Sequence, residues 1–233
     1  MELSSLIDTL SSHPGPVLTW YGKDRTELGG PVAARWLAKT ANLLGGDLSG
    51  DLFGQVDAAP SPGPGSTIRV DLGCSWQDVI WTSTAWLSGW NLVSEGVPDV
   101  WVVASVGDAT DALAQGTPWV LVQAMGPLAM SWSGTLPDGV LDALAELAAQ
   151  PDALVVTPRD PSPSHDLPDG PGMRRSTGNG REMLLVSEAH ADVTTVLAMW
   201  EKGVGVVAVD TSVHDRADQM RIGDAERAAC PRR

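Results

Sequence analysis

Short apolar runs alternate with amphipathic stretches along most of the chain. Pro16-Val-Leu-Thr-Trp-Tyr21 reads as a strand, with Gly22-Lys-Asp as its turn. Gly29-Gly-Pro31 opens a helix, with proline at a tolerated first position. Val32, Trp36, Leu37, Leu43 and Leu44 fall on one face of that helix, and Gly45-Gly46 stops it. Thr67–Leu72 predicts a strand. Ser75 is a good N-cap, with Asp78 three residues on in capping-box spacing. The helix it opens carries Val79, Ile80, Trp86 and Leu87 and ends at Gly89. Further elements follow in turn: a strand over Val100–Ser105, a short helix over Asp108–Gln115 and a strand over Trp119–Gln123. Asp138 caps a helix running through Ala149, with Val140, Leu141, Leu144 and Leu147 inward. Pro151 ends it, and Ala153–Thr157 reads as a buried strand. Met183–Val186 is a strand, and Ser187 is positioned to cap the next helix. Val193, Val196, Leu197 and Trp200 line one side of that helix, Gly203 ends it, and Val204–Asp210 is a strand. Residues 213–233 read as a polar helix that frays.

Continuous Val/Leu runs between helices indicate an α/β fold: a layered, mostly parallel sheet with helices on both faces. Trp86-Leu-Ser-Gly89 and Trp200-Glu-Lys-Gly203 each follow a strand and a helix and precede a strand, which suggests an internal pseudo-repeat. The organisation read from these elements is one domain over 1–233, with sub-units 1–53, 66–157 and 182–212. A Pro/Gly-rich linker, 54–65, and a long loop, 158–181, separate them.

Composition narrows the function classes. The chain has 233 residues and a formal net charge of −14, from 15 Lys and Arg against 29 Asp and Glu. A basic face able to neutralise phosphates is therefore not expected, which argues against nucleic-acid partners and against docking on an anionic membrane. No apolar run reaches the roughly 18 residues of a membrane helix. The acidic, polar start lacks the order of a signal peptide, and two cysteines are too few for a disulfide scaffold. A cytoplasmic location is the expectation. There are 10 Trp against one Phe and one Tyr. A GC-rich coding background with Trp filling core positions accounts for this; a Trp-rich partner surface, and with it a homo-oligomer, is the functional alternative.

Charge is uneven. No Lys or Arg lies between Arg69 and Arg159, while Arg159, Arg174, Arg175 and Arg181 gather in the long loop. That loop is where an anion would find several positive groups.

Thr19–Gly45, with Arg25-Thr-Glu-Leu28 and Trp36-Leu-Ala-Lys-Thr-Ala-Asn-Leu-Leu44, resembles the opening of an AMP-binding, acyl-adenylate-forming (acyl-CoA synthetase-like) enzyme. Ile68–Val93 and Leu184–Asp210 resemble later units of the same enzymes. The chain is also similar to an actinobacterial family of this size that looks like the N-terminal region of those enzymes. The resemblance implies their N-terminal fold, and ATP or AMP as the cofactor to test. It also implies a Ser/Thr/Gly-rich phosphate loop ending in Pro-Lys after a strand. The matching place here is Ala153–Thr157 followed by Pro158-Arg-Asp-Pro-Ser-Pro-Ser-His165, which has no glycine and no lysine. Arg174-Arg-Ser-Thr-Gly-Asn-Gly-Arg181 retains some Ser/Thr/Gly character. Thr157, Arg159, Arg174, Arg175, Ser176, Thr177 and Gly178 are accordingly the candidate ligand-binding residues. The family's metal site, ribose-binding Asp and catalytic-Lys domain have no counterpart in this sequence, so a complete adenylation reaction is not expected.

Other chemistry has less support. Cys74 could pair with His13, His165, His190 or His214, but a small buried cysteine is the simpler reading. No Gly-x-Ser-x-Gly elbow, dinucleotide fingerprint or metal-ligand spacing of histidines is present. Three functions remain in view: a non-catalytic protein binding a nucleotide, acyl group or protein partner; a divergent enzyme acting on an anionic adenylate or acyl-CoA type substrate; and a structural self-associating subunit.

Overall fold

The computed structural model describes residues 1–48, 62–126, 129–157, 181–186 and 193–228. Most of the linker, the loop to Gly180, Ser187 and Cys230 lie outside the described residues.

Two parallel-rich sheets organise the chain rather than one. The five-stranded sheet has the order β4 (Asn91–Leu92), β3 (Thr67–Asp71), β5 (Val100–Val103), β6 (Trp119–Val122), β7 (Val140–Asp142), and every pairing is parallel. The four-stranded sheet runs β2 (Arg25–Gly29), β1 (Pro16–Tyr21), β9 (Gly205–Asp210), β8 (Arg181–Val186), with only β1–β2 antiparallel. The central strands β5 and β9 are buried along their whole length, as parallel strands covered on both faces must be. Arg181, expected in the long loop, is the first residue of β8.

Helices α1 (Leu3–Ser11), α2 (Gly30–Asn42), α3 (Trp76–Leu87) and α6 (Val193–Glu201) pack together in the core beneath the four-stranded sheet. α3 has no outer side: Val79, Ile80 and Leu87 join the core beneath the four-stranded sheet, and Trp81 and Ala85 the core beneath the five-stranded one. Helix α4 (Val106–Ala114) covers the far face of the five-stranded sheet, and α7 (Arg216–Glu226) that of the other. None of the ten tryptophans is exposed; Trp81, Trp90 and Trp200 are fully buried. Trp36, Trp76, Trp86, Trp119 and Trp132 are half-buried against the three cores.

Several sequence expectations need correction. α1 was unforeseen, although Leu3, Leu6 and Leu10 give it one buried stripe. The sequence pattern assigns no element to Arg25–Leu28, yet β2 lies there and pairs with β1 as a hairpin. Gly45-Gly46 does not stop α2: the chain continues as a π-helical turn, Leu43–Asp47, closed by Leu48 N–H to the Leu43 carbonyl at 3.1 Å. Val32 is 43% exposed and not on the buried face. The helix assigned to Asp138 is capped instead by Asp142, whose carboxylate accepts the N–H groups of Leu144 and Ala145, and it is α5 (Ala143–Ala149). Val140, placed in that helix, belongs to β7.

The Trp-x-x-Gly similarity has a local cause. In α3 the Gly89 N–H bonds the Trp86 carbonyl at 3.1 Å and the Trp90 N–H bonds that of Ala85 at 3.0 Å. In α6 the Gly203 N–H bonds the Trp200 carbonyl at 2.9 Å and the Val204 N–H bonds that of Met199, also at 2.9 Å. Gly89 (φ 81°) and Gly203 (φ 66°) both adopt the left-handed exit. The same two-bond closure ends α4 at Gly116, where no tryptophan is involved. The shared pattern is a helix exit.

Candidate functional site

In open α/β sheets, ligands bind outside the carboxyl ends of the strands. Here those ends bring together Cys74, Asp78 and Asp210. After β3 the chain turns and Ser75 caps α3, its hydroxyl accepting the Asp78 N–H at 3.1 Å. This local signal was legible in the sequence. Asp78, in the first turn of α3, is fully buried. β9 ends at Asp210, whose Oδ1 accepts the Ser212 N–H at 2.8 Å and the Ser212 hydroxyl at 2.6 Å. Thr211 ties this turn to the end of β8, donating its N–H to the Val186 carbonyl at 2.8 Å.

The Cys74 thiol bonds the Asp210 carboxylate. Burial, then the charge and hydrogen bond of Asp210, then the charge of Asp78, push its pKa up to about 12. Near neutral pH it is a thiol, which is the wrong state for a nucleophile. The two described candidate histidines are engaged elsewhere. His13 accepts the Gly15 N–H at Nδ1 (3.2 Å) and meets the Gly203 carbonyl with Nε2 (3.2 Å), and His214 meets the Gly22 carbonyl at 3.0 Å. His165 and His190 lie outside the described residues. Among the described residues, no group of three His, Cys, Asp or Glu is arranged to hold a metal ion, and no helix is long and apolar enough to cross a membrane.

The segment expected to lead into a phosphate loop has a different role. Ala153–Thr157 is not a strand. Asn42, buried at the end of α2, satisfies its backbone instead. Its Nδ2 donates to the carbonyls of Pro151 (3.1 Å) and Ala153 (2.8 Å), and its Oδ1 accepts the N–H groups of Val155 (2.9 Å) and Val156 (3.4 Å). Leu154 and Val156 turn onto the core, leaving Val155 66% exposed. Val156 packs so closely on Gly45 that a Cβ there would lie 3.3 Å from it. Asn42 was missed because its partners lie more than 100 positions away in sequence.

Of the seven candidate ligand residues, Thr157 is exposed at the end of this segment. Arg159, Arg174, Arg175, Ser176, Thr177 and Gly178 lie outside the described residues. A separate open cavity of about 550 Å³ is lined by Ile7, Pro31, Ala34, Leu154 and the Arg35–Asp152 ion pair, and contains none of the crevice residues.

No protein-family model and no curated protein matches the chain. Solved structures do. An acyl-CoA synthetase from Brucella canis matches 97% of this chain and 46% of its own, at 14% identity and TM-score 0.62. Acetoacetyl-CoA synthetase from Streptomyces lividans matches 97% of this chain and 41% of its own, at 17% identity and TM-score 0.60. An amide bond synthetase from Marinactinospora thermotolerans matches 96% of this chain and 48% of its own, at 14% identity and TM-score 0.55. The chain spans less than half the length of each of these structures. With parallel sheets flanked by helices and this likeness along nearly its whole length, the chain has the fold of the acyl-adenylate-forming, AMP-binding enzymes.

Proposed function

We propose that this chain is a non-catalytic binding protein built on the adenylate-forming fold. The Asn42 clamp is the observation that carries the reading. Where the enzymes' resemblance leads one to expect a strand entering a phosphate loop, the backbone of Pro151–Val156 is held by a single buried side chain. The sequence that follows, Pro158–His165, has neither the glycines that let a backbone approach a triphosphate nor a lysine to meet its charge. The crevice at the strand ends adds electrostatic support. Asp78 and Asp210, both buried, flank a neutral thiol, and their charge disfavours a phosphate at this point. On this reading the crevice favours an uncharged acyl portion over the triphosphate of ATP, and the chain holds its ligand without activating it.

Titration calorimetry with ATP, AMP and a short acyl-CoA, run beside a pyrophosphate-release assay, tests this. The expected result is no pyrophosphate and weaker binding of ATP than of acyl-CoA, whose phosphates are held away from its acyl group by the pantetheine arm. Release of pyrophosphate with a carboxylic acid overturns the reading. Absence of heat with all three ligands moves the binding role to a protein partner.

A further inference from the structure

The far face of the four-stranded sheet carries a polar cluster that the crevice does not use. Val207 and Val209 are buried there, covered by Ile222 of α7 and by Ala228. Beside them, the Glu226 carboxylate is enclosed by donors. Its Oε1 accepts the Tyr21 hydroxyl at 2.5 Å and the Arg25 guanidinium at 2.9 Å and 3.2 Å. Its Oε2 pairs with Arg181, whose other terminal nitrogen donates to the buried Thr19 hydroxyl.

Acceptor and donors come from different parts of the fold. Thr19 and Tyr21 share one face of β1, Arg25 begins β2 and Arg181 begins β8. Three strands of one sheet carry the donors, so their backbone positions are set by the sheet and not by α7. The acceptor comes from α7, which is lightly seated. Across eleven residues it buries only Gln219, Ile222 and Gly223, and Met220 is 56% exposed. Without Glu226, Arg25 would keep Glu27 as a partner, while Arg181, its side chain 18% exposed, would lose the carboxylate it pairs with. A partly buried guanidinium without a counter-charge strongly favours an anion. Two oxygens, each facing a guanidinium, is the pattern of carboxylate recognition.

We propose that this cradle of Tyr21, Arg25 and Arg181 is an oxyanion receptor that the chain fills with its own Glu226, and that α7 is a self-docked strap which a carboxylate-bearing ligand displaces. The ligand class is a small carboxylic acid or the acidic group of a peptide; a phosphate presents the same pair of oxygens.

The test uses the full chain with Glu226→Ala, melted in increasing sodium acetate or inorganic phosphate, with sodium chloride at matched ionic strength as control. The variant is expected to melt below the native chain. Acetate should raise its Tm saturably, by about 3–6 °C at ten times the dissociation constant. Chloride should not, and adding Arg181→Ala should abolish the rise. In the native chain, high acetate should speed amide exchange over Arg216–Glu226. A larger response to phosphate keeps the receptor and assigns a phosphate ligand. If Glu226→Ala does not fold in plain buffer, its refolding yield in acetate against chloride reads the same rescue. A response no greater than that to chloride, in either readout, overturns the proposal.

Discussion

The Oδ1 of Asn42 accepts the backbone N–H of Val155 at 2.9 Å, joining positions 113 residues apart. A helix-terminal side chain thereby does for Pro151–Val156 what a neighbouring strand would otherwise do. Truncating it strands four backbone groups. Asn42→Ala should lower stability by about 2–4 kcal/mol in urea unfolding. Amide exchange should accelerate first at Val155. Asn42→Asp should be no better, because a carboxylate would face the carbonyls of Pro151 and Ala153.

Neighbouring glycines should respond differently. A Cβ on Gly30 would lie 2.1 Å from the Leu10 carbonyl, where α1 crosses the start of α2, whereas nothing lies within 4 Å of one on Gly29. Gly30→Ala should cost about 3 kcal/mol or more, since backbone must move, and Gly29→Ala less than about 1 kcal/mol. Paired thermal melts measure the contrast.

α7 ends on a residue poorly suited to its conformation. Arg227 has φ 52°, and the Ala228 N–H closes onto the Gly223 carbonyl at 2.9 Å, as at the glycine exits. Arg227→Gly should raise stability by about 1 kcal/mol, and Gly203→Ala should lower it by a similar amount. Each should move Tm by about 2–4 °C.

Acid and alkali should act on different residues. Burial raises the Glu226 carboxyl, but hydrogen bonds from Tyr21, Arg25 and Arg181 outweigh it and hold the pKa below its usual value. A lowered folded value means this contribution is present above about pH 4.3 and lost as pH falls further. The Cys74 thiol, pushed up to about 12 by burial and then by Asp210, has the opposite sign. Its contribution is complete below the free-thiol value of about 8.5 and is lost as pH rises towards 12. Burial raises Tyr21 as well, which adds a further loss above about pH 10. Glu226→Gln should flatten the acid limb of stability against pH, and Cys74→Ala the first part of the alkaline limb.

The features legible in the sequence are local ones. Ser75 and its helix, the glycine exits, and the Val/Leu strands β5, β6 and β9 each announce themselves within a few residues. The hidden features depend on distant partners. Ala153–Thr157 has the composition of a strand, but its backbone bonds to Asn42 rather than to a neighbouring strand. Val140–Asp142 lies in a helical-looking stretch, yet it pairs with β6 and the helix begins only where Asp142 caps it. The Glu226 cradle draws on positions spread from Thr19 to the last described helix, so no spacing could reveal it.

The inward placement of every tryptophan has an optical consequence. Trp20, Trp81, Trp90, Trp101 and Trp200 are buried and the other five indoles half-buried, so the intrinsic fluorescence of this chain reports mainly on its interior. Emission from the folded chain should be blue-shifted and poorly quenched by iodide. A ligand that merely touches the surface should leave the spectrum nearly silent, so a strong change on binding would mean that the layers between the sheets have loosened or shifted.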